Sequence, residues 1–234
     1  MDIHIERTAT ATCHALIRHL LDTMNARPEK TFCLAFSGGD SLLPLFDIWA
    51  NEYGGQTPWE RMRIYWTDER CVPVSDSDSN YGTLCRLLLD KVDFPLEHIY
   101  PMSDLLSPKR EASRYARVVA ATVPQVAGVP VFDIVLLGLE SDGHVASIYA
   151  GQERLLALRE WYAPCINPYT GQKCVTATGP QLLAAGRLLL LAVGRSRRAA
   201  VSDVLRSGDV TPAAYIAHHA SCVGLFADRS AYGE

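Results

Sequence analysis

The residues best suited to chemistry stand in Asp142-Gly143-His144, where a carboxylate and an imidazole are separated by a residue without a side chain. Histidine changes charge near neutral pH, and a neighbouring carboxylate can fix its tautomer and raise its basicity. That pairing suits a general base acting on water. A loop histidine is more often structural, and His4, His14, His19, His98, His218 and His219 are read that way. His144 differs because it follows an apolar, strand-like run inside a glycine-flanked loop. A covalent nucleophile has less support: no G-x-S-x-G elbow occurs, and the cysteines keep no recurring spacing to a histidine.

Three further polar clusters have the types needed to hold an anion. Ser37-Gly38-Gly39 can form a tight turn whose backbone N–H groups face an oxyanion, with Asp40 next to it as a sugar-hydroxyl partner or helix cap. Arg70 follows Asp68 and Glu69, so it is either an internal salt bridge or a guanidinium steadied by one acid while it contacts a ligand. Arg195, Arg197 and Arg198 gather where a helix should begin. There cations oppose the helix dipole by ~0.3–1 kcal/mol each, and a bound phosphate would reverse that sign. Solvated surface charge is the equally weighted alternative for these arginines.

Each cluster directly follows a strand-like run: Thr31 to Phe36, Arg63 to Trp66, Phe132 to Leu137, and Leu188 to Val193. Cys174 to Thr178 and Cys222 to Phe226 read as two more strands. Between them lie helical spacings, such as Ile17, Leu20, Leu21 and Met24, or Leu42, Leu45, Phe46 and Trp49 with Pro44 in a first turn. A helix is expected after a loop within Ser79 to Leu89. Others are expected from near Pro108 (Ala112, Tyr115, Ala116, Val119) and from near Ser196 (Val201, Val204, Leu205). Continuous apolar strands alternating with amphipathic helices predict an α/β fold, an open and mostly parallel sheet with helices on both faces, in one domain over 1–234. In such a sheet the strands' carboxyl ends share one edge, so the four clusters should meet in one crevice.

Composition narrows the function classes. The chain has 234 residues, 48% hydrophobic and 21% charged, which is ordinary for a folded globular protein. A net charge of −4 gives no support for nucleic acid as a partner, so an anionic ligand must be held by local cations. No apolar run reaches the ~18 residues of a membrane helix, and Met1 to Arg7 lacks the apolar core of a signal peptide. The seven cysteines, at 13, 33, 71, 85, 165, 174 and 222, form no C-x-x-C pair. That pattern predicts free thiols in a cytoplasmic protein and argues against a zinc cage.

Taken together, the motifs resemble the 6-phosphogluconolactonases of the glucosamine/galactosamine-6-phosphate isomerase superfamily. The likeness runs from Ser37-Gly38-Gly39 to the end. It rests also on Trp66-Thr67-Asp68-Glu69-Arg70-Cys71-Val72-Pro73, on Asp78-Ser79-Asn80-Tyr81, and on Phe132 to Gly138 leading to Asp142-Gly143-His144-Val145-Ala146-Ser147. The resemblance implies a Rossmann-like sheet of the sugar-phosphate isomerase type. It also implies hydrolysis of 6-phospho-D-glucono-1,5-lactone to 6-phospho-D-gluconate in the oxidative pentose phosphate pathway, by a monomer without metal or cofactor. His144 then matches the base for water and Asp142 its orienting carboxylate. Ser37, Gly38, Gly39, Asp68, Arg70, Asn80 and Arg197 match substrate- or phosphate-binding positions.

Three departures stand out. Asp40, Ser41 and Leu42 replace a usual Ser-Thr-Pro, Arg197 replaces the lysine of a G-x-x-K pattern, and Cys174 stands where an arginine is usual, beside Lys173. The alternatives are a glucosamine-6-phosphate deaminase, an ATP-pyrophosphatase loop and a non-enzymatic sugar-phosphate sensor. The deaminase motif has Ala-Phe-Asn-Glu-Pro after its histidine, where this chain has Val145-Ala146-Ser147-Ile148-Tyr149. Ser37 to Ser41 is one residue short of the pyrophosphatase spacing. The segment before residue 31 is too short for a DNA-binding module with its linker.

Overall fold

The computed structural model describes residues 1–233. The chain opens with β1 (Asp2–Glu6) and α1 (Ala9–Asn25), then β2 (Phe32–Phe36), α2 (Leu43–Tyr53) and β3 (Met62–Trp66). Next come β4 (Asp68–Arg70), α3 (Asn80–Leu87), α4 (Pro108–Thr122) and a small hairpin of β5 (Gln125–Val126) and β6 (Val129–Pro130). The second half runs β7 (Ile134–Gly138), β8 (Tyr162–Ile166), β9 (Lys173–Ala177), α5 (Gly179–Leu183) and β10 (Leu188–Ala192). It ends with α6 (Arg198–Leu205), α7 (Pro212–His219), β11 (Val223–Asp228) and α8 (Arg229–Tyr232).

The helical spacings become buried stripes. Ile17, Leu20, Leu21 and Met24 of α1 are buried, as are Leu45, Phe46 and Trp49 of α2. Local chemistry sets the starts: Thr8 Oγ1 accepts from Ala11 N, Ser79 Oγ accepts from Gly82 N, and Pro108 opens α4, where a missing N–H costs nothing. Helix α6 begins at Arg198, after a 3-10 turn over Arg195–Arg197, two residues beyond the expected start.

Six strands form one wholly parallel sheet in the order β1-β11-β10-β7-β2-β3. Strands β2, β7, β10 and β11 are buried at every residue, because packed elements cover both faces. That agrees with the sequence expectation. Two assignments need correction. Cys174 to Thr178 does form a strand, but β9 belongs to a separate antiparallel sheet in the order β4-β9-β8. Asp68-Glu69-Arg70 is no simple loop: it is β4 of that second sheet, paired to Thr176, Val175 and Cys174. The strand β1 had no signal, since an edge strand of partly exposed Asp2–Glu6 shows no apolar run.

Aromatic hydroxyls join the two sheets. Tyr115, fully buried on α4, accepts from Trp66 N and donates to Tyr100 O, each at 2.8 Å. Its ring meets Tyr162 edge-on at 4.9 Å, and Tyr162 Oη donates to Trp66 O at 3.0 Å. The C-terminal end of β3 is thereby tied to the second sheet at the point where the chain crosses from one to the other. Tyr115→Phe leaves the buried Trp66 N–H and the part-buried Tyr100 carbonyl without this partner. It should lower unfolding free energy by about 1–3 kcal/mol, read from urea denaturation; an unchanged midpoint would show that the hydroxyl does not hold the end of β3.

Candidate active site

All six strands of the main sheet point the same way, so the turns after β2, β3, β7 and β10 share one rim. Two adjoining hollows of about 330 and 190 Å³ open there, with Gly38, Gly39, Asp40 and Arg70 lining both. The larger also contains Asn80 and Arg86. The smaller contains Asp68, Glu140, His144, Tyr149 and Tyr169. The sequence expectation of convergence therefore holds for Gly38, Gly39, Asp68, Arg70, Asn80 and His144. Asp142 lies behind His144, while Ser37 and Arg197 line neither hollow.

The β7 turn is built to hold one imidazole. Gly143 has φ +71° and an added Cβ would meet Thr211 Cγ2 at 2.7 Å, so α7's first turn closes against a residue that must be glycine. Gly143 O accepts from Ala213 N, and Gly143 N donates to Glu140 O, each at 3.0 Å. Within this fixed turn, Asp142 Oδ1 meets His144 Nδ1 at 2.7 Å and accepts from His144 N at 3.2 Å. Tyr169 Oη donates to the other oxygen, Asp142 Oδ2, at 2.7 Å. Partial burial pushes the Asp142 carboxyl up, but the histidine and tyrosine bonds outweigh it and hold the group well below the usual carboxylate range. An ionised Asp142 accepts Nδ1–H, which leaves the lone pair on Nε2. The Tyr149 ring lies 4.4 Å from the imidazole centroid and limits its rotation.

Arg70 is held by the second sheet and by the start of α3. Its Nη1 donates to Asp78 O at 2.9 Å and to Asn80 Oδ1. Asn80 Nδ2 in turn donates to Asp68 O at 2.8 Å. A side chain at Gly38 would collide with the Asn80 amide, so the glycine turn and α3 interlock. The sequence left Asp68 and Glu69 as equal candidates for steadying Arg70; neither forms a direct ion pair with it. Asp68 is buried and accepts from Ser147 Oγ at 2.7 Å. Glu69 instead collects the N–H groups of Arg70, Asn80 and Tyr81 at 2.7–2.8 Å, with Ser79 Oγ at 3.2 Å.

The remaining predicted residues have structural partners. Ser37 is buried; its Oγ donates to Gly38 O and accepts from Gly138 N, both at 3.1 Å, pinning the turn against β7. Arg197 Nη2 bonds Glu140 Oε2 at 2.9 Å, and its Nη1 donates to Ser196 Oγ at 2.8 Å. Lys173 faces a different hollow, with Ser107 and Lys109. Sequence reading missed Glu140, Tyr149 and Tyr169. Glu140 sits two residues before Asp142, a visible clue, whereas Tyr169 reaches the site from the β8–β9 turn, 27 residues away in sequence. Among the described residues, no group of three or more His, Cys, Asp or Glu side chains is placed to hold a metal ion, and no helix is long and apolar enough to cross a membrane.

Burial pushes the Glu69 carboxyl up to about 7 from 4.5, against its three backbone donors, with the Asp68 charge adding to the rise. The folded protein therefore holds this proton more tightly than the unfolded chain. Its contribution to stability is fully present below about pH 4.5 and is lost as pH rises through about 7. Denaturation midpoints should fall by the equivalent of a few kcal/mol, in order of magnitude, across that window. Glu69→Gln should flatten that part of the curve; an identical slope in the variant would assign the dependence to other groups.

Comparison with known proteins converges on one family. The family model described as glucosamine-6-phosphate isomerases/6-phosphogluconolactonase matches residues 5–224. The 6-phosphogluconolactonase of Treponema pallidum is 31% identical over 208 residues, covering 88% of this chain and 85% of that protein. The solved structure of the devB protein is 32% identical, covers 98% of both chains and superposes with a TM-score of 0.87. The 6-phosphogluconolactonase structure from Trypanosoma brucei shares the fold at TM-score 0.87, with 24% identity and coverage of 98% of this chain and 97% of that one. With the parallel sheet, the Asp142–His144 turn and the glycine turn at one rim, the chain belongs to the glucosamine-6-phosphate isomerase/6-phosphogluconolactonase family.

Proposed function

We propose that this protein is a 6-phosphogluconolactonase, hydrolysing 6-phospho-D-glucono-1,5-lactone to 6-phospho-D-gluconate in the oxidative pentose phosphate pathway. The observation that carries the reading is the 2.7 Å bond between Asp142 and His144, in a cleft shared with Arg70 and the Gly38-Gly39 turn. The relatives of about 30% identity that bear this name support it.

Lactone hydrolysis asks for three things: a base for water, stabilisation of a developing oxyanion, and a proton for the departing ring oxygen. His144 Nε2 takes a proton from water as the oxygen attacks C1, and Asp142 stabilises the imidazolium that forms. Collapse of the tetrahedral intermediate breaks the C1–ring oxygen bond, and the imidazolium returns its proton to that oxygen. The product acid then ionises. A positioned base contributes ~10²–10⁴-fold, which suits an ester that also hydrolyses unaided. The phosphate does no chemistry; Gly38, Gly39, Arg70, Asn80 and Arg197 hold it as a handle that fixes C1 near the imidazole. Residues 1–234 act as one catalytic unit, monomeric and cytoplasmic, without metal or cofactor.

The test is lactone hydrolysis measured against the uncatalysed background, with and without the 6-phosphate. The wild type should exceed background strongly on the phosphorylated lactone; no excess over background would end the reading. His144→Ala should keep the fold and lower kcat by about 10²–10⁴-fold, and an unaffected rate would remove His144 as the base. Arg197→Ala should act chiefly on KM, and a loss confined to kcat would contradict its role in phosphate binding.

A further inference from the structure

Arg197 follows the β10 turn and points towards the shared rim, yet it does not line the cleft. Glu140 stands between. Glu140 lines the hollow that holds His144 and Arg70, and its Oε2 bonds Arg197 Nη2 at 2.9 Å. Its Oε1 accepts from Ser41 Oγ at 3.2 Å and lies 2.6 Å from where a Cβ of Gly39 would be. One carboxylate thus takes a hydroxyl and one guanidinium N–H and lies against the glycine turn. These are the donors an incoming phosphate would use. Both side chains are about one-fifth exposed, 18% for Glu140 and 19% for Arg197, so water screens the pair only in part. Arg197 Nε has no hydrogen-bond partner among the described residues, so the guanidinium is not saturated by protein acceptors.

We infer that Glu140 is a specificity-determining residue: its carboxylate occupies the anion position and competes with the substrate's phosphate for Arg197. The inference rests on the reading above that the substrate is a phosphorylated lactone. An anion can reach Arg197 from the cleft only when Glu140 swings aside. While it remains, a like charge faces the phosphate across the Gly38-Gly39 turn. Glu140 therefore weakens binding of the phosphate and narrows the preference for phosphorylated over unphosphorylated lactone.

Inorganic phosphate is the direct probe, because its binding needs no turnover. Glu140→Gln keeps the shape of the side chain and removes the charge. Calorimetric titration should show phosphate binding about three- to tenfold tighter in this variant, the size set by a partly exposed ion pair and one like charge. Adding Arg197→Gln should shrink the gain to the smaller part that comes from removing a like charge beside the glycine turn. The ratio of kcat/KM for the phosphorylated lactone to that for the unphosphorylated one should rise in Glu140→Gln by a similar factor. Equal or weaker phosphate binding in the single variant overturns the inference, as does a gain that Arg197→Gln leaves undiminished. Wild-type protein that hydrolyses neither lactone would end the functional reading alone, since the phosphate titration would still decide the role of Glu140.

Discussion

The bond from Asp142 to His144 Nδ1 is the constraint on which the site depends. It selects the tautomer with a lone pair on Nε2, and it is the reason that an imidazole on a surface turn has a defined orientation. A bond between residues only two apart forms only if the backbone bends in a particular way. Here the bend needs positive φ at Gly143, and just beyond it Ala146 also has positive φ, at 50°, strained for a residue with a side chain. The strain is held in place by β7 on one side and by the first turn of α7 on the other, through Gly143 O and Ala213 N. A strand buried at every residue, as β7 is, can hold such a turn because it has no freedom to relax.

The second sheet solves a different problem. A strand-end loop alone would leave Arg70 mobile and its charge solvated. Placing Asp68-Glu69-Arg70 in β4, opposite Thr176 to Cys174, fixes the backbone. Glu69 then draws the start of α3 onto it through three N–H donors. Asn80 is delivered against both Arg70 and the Gly38 turn. The cation and the glycine turn therefore reach the cleft as one interlocked unit, and the acids beneath it serve to build that unit rather than to neutralise Arg70.

Much of this was legible in the sequence where one physical signal dominated. Runs such as Ile134 to Leu137 and Leu188 to Leu191 are apolar at every position because both faces of the sheet are covered, and they marked strand, direction and rim together. The Asp142–His144 pair was legible because its interaction is local. What stayed hidden depends on tertiary partners. Polar Asp68-Glu69-Arg70 looks like loop until β9 and α3 supply its hydrogen bonds, and exposed β1 carries no pattern because it is an edge. Tyr169 carries no local mark of its bond to Asp142, and Arg197 gives no hint that Glu140 is its partner.

The central claim is that the proposed base and the phosphate-holding residues serve one bound molecule. A crystal structure with 6-phosphogluconate tests it most directly. In that complex the C1 carboxylate should lie within hydrogen-bond distance of His144 Nε2 and the phosphate at the Gly38-Gly39 turn beside Arg70. A ligand whose C1 lies away from the imidazole, or one bound outside this cleft, would contradict it.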